Sequence, residues 1–198
     1  MSRTGDARMG GVDQALRHRL RTAFRWVDPG DDATHEVSDT SGWWRDPALL
    51  AGLGPALAAL AAPAGPTVVI GPETSGFVLG PLVAQALGIG FVEAYKDGRG
   101  HVADRMLRRR TSPDYRGRVI TLSLRARLLA PTDRAVVVDD WVATGAQLLA
   151  LRELVSRAGA QYVGAAVVVD GCPTAVAAEV GLRSLLTRHD LDGANARP

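Results

Sequence analysis

The segment Ala135-Val136-Val137-Val138-Asp139-Asp140-Trp141-Val142-Ala143-Thr144-Gly145-Ala146-Gln147-Leu148 constrains the fold of this chain more than any other. It opens as an apolar, β-branched run without the alternation of a half-solvated strand, so it reads as a strand buried on both faces of a parallel sheet. Two adjacent carboxylates end the run, a Thr-Gly turn follows, and a helical pattern begins. Asp139 and Asp140 therefore belong at the carboxyl end of the strand, where open α/β sheets bind their ligands. The N–H groups from Thr144 onward belong to a helix N-terminus, which suits a phosphate. Carboxylates able to accept bonds from sugar hydroxyls, next to a phosphate cradle, describe a site for a ribose 5-phosphate.

Around this segment strands and helices alternate. Strands are expected at 67–70, 91–95, 162–169 and 183–187, and helices at 76–87, 145–157 and 173–180, the pattern of βαβ units. The fold class is α/β, with a central, mostly parallel sheet flanked by helices. Upstream, Val12, Leu16, Leu20, Ala23 and Phe24 share a helical face, and Asp46-Pro47 caps and opens a second helix. Residues 28–34 read as a loop. The expected organisation is a structureless 1–10, an N-terminal hood of helices over 11–62, a core over 63–190 and a tail over 191–198.

Formal net charge is +2, so composition does not call for nucleic acid. The single cysteine excludes an internal disulfide and suits a reducing cytoplasm. No charge falls between Pro47 and Pro72, but Pro55, Pro63 and Pro66 are expected to break that stretch, which argues against a membrane span. The N-terminus carries no apolar core of a signal peptide. His35 and His101 lack metal-ligand spacing and read as surface residues. Residues 96–118 set eight basic side chains, Lys96, Arg99, Arg105, Arg108, Arg109, Arg110, Arg116 and Arg118, against three acidic ones. This excursion reads as a mobile basic lid over a polyanion, with 119–122 as its return arm.

The run Val136 to Gly145 resembles the phosphoribosyl pyrophosphate (PRPP) motif of type I phosphoribosyltransferases. Three further segments resemble the adenine-specific branch: residues 39–47, the Gly71-Pro72-Glu73-Thr74-Ser75-Gly76-Phe77 loop, and residues 91–99. The resemblance implies the type I phosphoribosyltransferase fold with a small N-terminal hood. It also implies transfer of ribose 5-phosphate from PRPP to a purine or purine-like base, with release of pyrophosphate. Asp139 and Asp140 would meet the ribose hydroxyls or the water shell of Mg²⁺, which PRPP and water hold without direct protein ligands. Ala143, Thr144, Gly145, Ala146 and Gln147 would cradle the 5-phosphate. Glu73, Thr74, Ser75, Lys96, Arg108 and Arg109 would face pyrophosphate, with Arg110 a further lid arginine. Val37, Ser38 and Trp141 would line the base pocket, whereas Trp43 and Trp44 read as core. Relatives are often homodimers; no membrane partner is implied, and nucleic acid is disfavoured.

Several positions depart from the family pattern. Ser75 and Tyr95 stand where it has arginines, Val37 where it has an aromatic residue, and Ser123 where it has an acidic residue near the base. Ala146 and Gln147 replace a glycine and a hydroxyl residue in the cradle; Ala146 would be disfavoured there if the backbone needed a left-handed φ. Two readings stay open on these residues, an active transferase and a catalytically silent PRPP- or nucleotide-binding regulator on the same fold. An RNA-binding attenuator has only the basic lid in its support.

Overall fold

A computed structural model describes residues 4–28, 30, 36–97, 105–114 and 116–192, with side chains from residue 14. Most of the loop expected at 28–34, both His35 and His101, lid residues 98–104 and tail residues 193–198 lie outside the described residues. The chain folds into two compact units, one running from the N-terminus to Leu53 together with the chain from Leu186 onward, the other Gly54–Leu185.

In the first unit, helix α1 (Thr4–Ala23) leads into a two-stranded antiparallel sheet of β1 (Arg25–Val27) and β2 (Val37–Asp39), then helix α2 (Ser41–Arg45). Leu16, Leu20, Phe24 and Trp43 are buried, as the helical spacing of the apolar residues demands. The Trp43 indole donates to the Leu20 carbonyl at 2.9 Å, so its one polar atom is satisfied inside. The backbone is helical from Thr4, where residues 1–10 were expected to lack structure. Once 12–23 have nucleated, each residue added N-terminally gains a helical bond at little cost. The two short strands were not expected, because three-residue elements carry no periodicity to read. The C-terminus also differs: Leu191 is buried and its carbonyl accepts the Trp26 indole N–H at 3.2 Å, so the chain stays structured past 190.

Helix α3 (Pro47–Ala61) starts as expected, with the Asp46 carboxylate accepting the Ala48 and Leu49 amides at 2.8 and 3.3 Å. Pro55, expected to break the segment, lies inside the helix. The carbonyl it deprives is that of exposed Ala51, which water can satisfy. By length and composition residues 47–64 could cross a membrane. Leu49, Leu53, Leu57 and Ala61 form a buried stripe at four-residue spacing that explains the apolar character otherwise.

The second unit is built on β3 (Val68–Pro72), α4 (Gly76–Leu87), β4 (Gly90–Lys96), β5 (Met106–Arg110), β6 (Thr121–Arg125), β7 (Arg134–Val142), α5 (Ala146–Arg157), β8 (Gln161–Asp170), α6 (Thr174–Glu179) and β9 (Leu182–Thr187). The seven strands form one sheet in the order β5-β6-β4-β3-β7-β8-β9. β4, β3, β7 and β8 are parallel, and β6 joins β4 and β5 antiparallel. Ile70, Val92, Ala94, Val137 and Leu122 meet Leu148, Leu151 and Leu154 of α5 in one core, while α4 packs on β3, β4 and β7. With both faces covered, the valine run of β7 needs no alternation. Part of the expected lid is an ordered strand: Met106–Arg110 pairs with β6 along its length. Its arginines conceal it in the sequence, because an edge strand takes charge where a central one cannot.

Candidate active site

The site lies where β3, β4 and β7 end. Ala135 to Val138 are buried, and β7 continues through the acidic pair to Val142, Trp141 pairing with Val169. Asp139 and Asp140 are successive residues of the strand, and their carboxyls lie close enough to interact directly. Asp139 is only 8% exposed and accepts the Asp140 amide at 2.9 Å, while Asp140 is half-buried. Burial above all, then the neighbouring Asp140 charge, holds the Asp139 carboxyl well above the ordinary value of 3.8; Lys96 pulls the other way. Lys96 thus lies within electrostatic reach of the acidic pair. Trp141 is half-buried beside it in β7.

After Val142 the chain turns through Ala143 and Thr144 to Gly145, whose φ of +78° is left-handed. A Cβ there would strike a methyl of Val176, so geometry and space both require glycine. The left-handed residue is Gly145 and not Ala146, which begins α5 with an ordinary helical backbone. The Ala146 substitution is therefore compatible with the turn. The Thr144 hydroxyl accepts the Ala146 amide at 3.3 Å, and α5 opens at Ala146, where first-turn amides have no carbonyl partner within the helix. The Gln147 Oε1 is buried without a hydrogen-bond partner.

At the end of β3, residues 73–75 form a turn with a cis peptide between Glu73 and Thr74. Gly71 and Gly76 approach each other so closely that a Cβ on either would overlap the other's backbone. The Glu73 amide donates to Ala94 O at 2.8 Å, and its carboxylate accepts the Lys96 amide at 3.0 Å. Ser75 is the N-cap position of α4 without a side-chain cap bond.

The other site residues separate. Tyr95 turns away from Lys96, its ring edge-to-face with Phe77 at 5.5 Å and its hydroxyl 3.2 Å from the Arg125 guanidinium. Ser123 is 1% exposed, and it is the cross-strand partner of Tyr95. The two departures from the family pattern are thus neighbours. Arg108 and Arg109 lie on opposite faces of β5: Arg108 pairs in register with Ser123, while Arg109 reaches α5 and bonds Glu153 at 2.7 Å. Arg109, Arg110, Arg152 and Ala146 line a cavity of about 580 Å³ between β5 and α5, and neither Asp139 nor Asp140 is in its lining. Val37 and Ser38 lie in β2 of the first unit, paired with Val27 and Trp26. Sequence reasoning missed Glu153 and Arg125; charge complementarity with the lid was the one signal pointing to Glu153, and none existed for Arg125.

Among the described residues, no three His, Cys, Asp or Glu side chains cluster as a metal cage. The Cys172 thiol is pushed up to about 12, chiefly by burial and further by Asp170, and so stays protonated.

A family model described as phosphoribosyl transferase domain matches residues 56–186. The adenine phosphoribosyltransferase of Streptomyces coelicolor is 34% identical over 160 residues, 81% of this chain and 84% of that protein. The crystal structure of adenine phosphoribosyltransferase from Rhodothermus marinus superposes with a TM-score of 0.72 at 28% identity, covering 88% of this chain and 99% of the other. That of the Giardia lamblia enzyme complexed with 9-deazaadenine gives 0.75 at 26%, covering 87% and 98%.

Proposed function

The chain belongs to the type I phosphoribosyltransferase family, and on that premise we propose that it transfers ribose 5-phosphate from PRPP to a purine base, adenine first, releasing pyrophosphate. The observation that carries this reading is the sequence of β7 carboxylates, Gly145 turn and open α5 N-terminus within one short segment. The amides at 143–147 and the Thr144 hydroxyl receive the 5-phosphate. Asp139 and Asp140, side by side at the strand end, accept the ribose hydroxyls. Lys96 and the amides of Thr74 and Ser75 receive the pyrophosphate, the Glu73 amide being held by Ala94 O. The work of these groups is positioning and charge stabilisation as the bond to the anomeric carbon breaks. Trp141 is assigned to the base pocket, and Arg108 and Arg109 to the lid side of the pyrophosphate.

Two adjacent carboxylates, with no third acidic, His or Cys ligand beside them among the described residues, suit a hard cation that keeps most of its waters, so the donor set fits Mg²⁺ bound mainly through substrate oxygens near Asp139 and Asp140. Bound there, Mg²⁺ supplies neutralising charge to the departing pyrophosphate. Function as a cytoplasmic homodimer belongs to the same reading.

A second reading, a silent PRPP or nucleotide binder, is favoured by one observation. Ser75 and Tyr95 bring no guanidinium, and the Tyr95 ring is occupied by Phe77 and Arg125. Incubation with PRPP, Mg²⁺ and a panel of purines, pyrimidines and azoles separates the two. A nucleoside monophosphate detected by mass, dependent on Mg²⁺, supports the transferase. A PRPP-induced rise in Tm without turnover supports the binder, and no response to PRPP refutes both.

A further inference from the structure

We propose that the Glu73 side chain is a positioning residue, a brace between the 73–75 turn and the end of β4, which sets Lys96 for its anion. The role of Lys96 in this proposal rests on the transferase reading of the site.

β3 and β4 form a ladder that stops short. They run parallel up to the pair Pro72 and Ala94, and the Glu73 amide adds one more bond, to Ala94 O at 2.8 Å. In a parallel ladder alternate residues face the same neighbour, so the next group toward β3 is the Lys96 amide. Tyr95 and Asp97 face the other way, onto β6: Tyr95 pairs with Ser123, and the Asp97 amide donates to Thr121 O at 2.8 Å. Had β3 continued, the residue-73 carbonyl would accept the Lys96 amide. The chain turns off there, and the Glu73 carboxylate takes that place at 3.0 Å.

The brace ties together two parts of the site. One end is the turn to whose Thr74 and Ser75 amides the transferase reading assigns the pyrophosphate. The other is the backbone of Lys96, whose side-chain charge is felt at Asp139. A carboxylate would repel a pyrophosphate if left open beside it, and engagement by an amide partly neutralises it. What the site requires at position 73 is therefore an acceptor oxygen at the right reach, more than a negative charge. Glutamine supplies that oxygen, aspartate is one methylene short, and alanine has none.

The test uses the full-length protein with Glu73→Gln, Glu73→Asp and Glu73→Ala. Hydrogen exchange of the Lys96 amide, followed by NMR in the free protein, is expected to accelerate about tenfold or more in the Ala and Asp variants, as for loss of a charge-assisted bond. Glutamine is expected to retain most of the protection. In steady-state kinetics with PRPP, the Ala and Asp variants should raise KM by roughly tenfold with a smaller change in kcat, and Gln should recover most of the loss. Should Glu73→Ala not fold, Glu73→Asp carries both readouts. The proposal is overturned if Gln behaves like Ala, which would mean the charge matters, or if Lys96 exchange is the same in all variants. If the wild type turns over no base, the transferase reading fails, and the exchange data still decide the brace.

Discussion

Replacing Asp139 with asparagine should stabilise the free protein while weakening its hold on PRPP. The carboxylate is 8% exposed, follows four buried residues of β7 and stands next to a second carboxylate. Desolvation and then the Asp140 charge raise its pKa, and the Lys96 charge and the Asp140 amide return only part of that. A folded-state pKa above the unfolded value of 3.8 means the native protein keeps a proton that the unfolded chain has lost. Stability then falls as pH rises from that value to the raised folded one, and stays reduced above it. Asparagine keeps an oxygen for the Asp140 amide and carries no charge, so the gain should be about 1–3 kcal/mol at pH 8 and should shrink toward pH 4. For a chain of this size that is roughly 2–4 °C in Tm per kcal/mol. Urea unfolding at pH 4, 6 and 8 measures it, with calorimetric titration of PRPP and Mg²⁺ on the same samples. An asparagine variant less stable than wild type at pH 8, or a difference that ignores pH, would refute the buried-charge account of Asp139.

Three other substitutions probe the remaining parts. Gly145→Ala forces a side chain into a left-handed backbone and against Val176, and should cost about 2–4 kcal/mol in chemical unfolding. Adding Val176→Ala should return the steric share and leave about 1 kcal/mol. Asp140→Asn, at a half-buried position, should lower PRPP affinity by about tenfold or more with little change in unfolding midpoint; unchanged affinity would remove Asp140 from the site. Ser123→Glu should destabilise by about 3 kcal/mol or more through an uncompensated buried carboxylate, and the second substitution Tyr95→Arg should recover at least about 1 kcal/mol of it in a double-mutant cycle.

The elements that could be read from the sequence are those whose burial leaves a period. The expected helix at 76–87 matches α4, and the expected strands at 91–95 and 162–169 each fall within one residue of β4 and β8. The residues missed are those held by partners distant in sequence. Met106–Arg110 looks like a charged loop and is a strand only because β6 offers it an edge. Glu73 looks like a ligand of an anion loop, and its carboxylate is bonded to the Lys96 backbone. Arg109 looks like a lid arginine and is paired with Glu153 on α5.

Taken alone, the sequence determined the α/β class, the alternation of strands and helices along the chain, and the strand–turn–helix segment at 135–148. Each of these is local: a valine run, two carboxylates and a glycine turn are contiguous, and their backbone preferences act over a few residues. The tertiary structure decided how the charges are shared out. Registry between β4 and β6 made Tyr95 and Ser123 neighbours, the end of β3 two residues short of β4 gave Glu73 its bond to Lys96, and the closure of both sheet faces buried Asp139. Pairing and desolvation depend on what the fold brings within a few ångströms, and no local pattern encodes that distance.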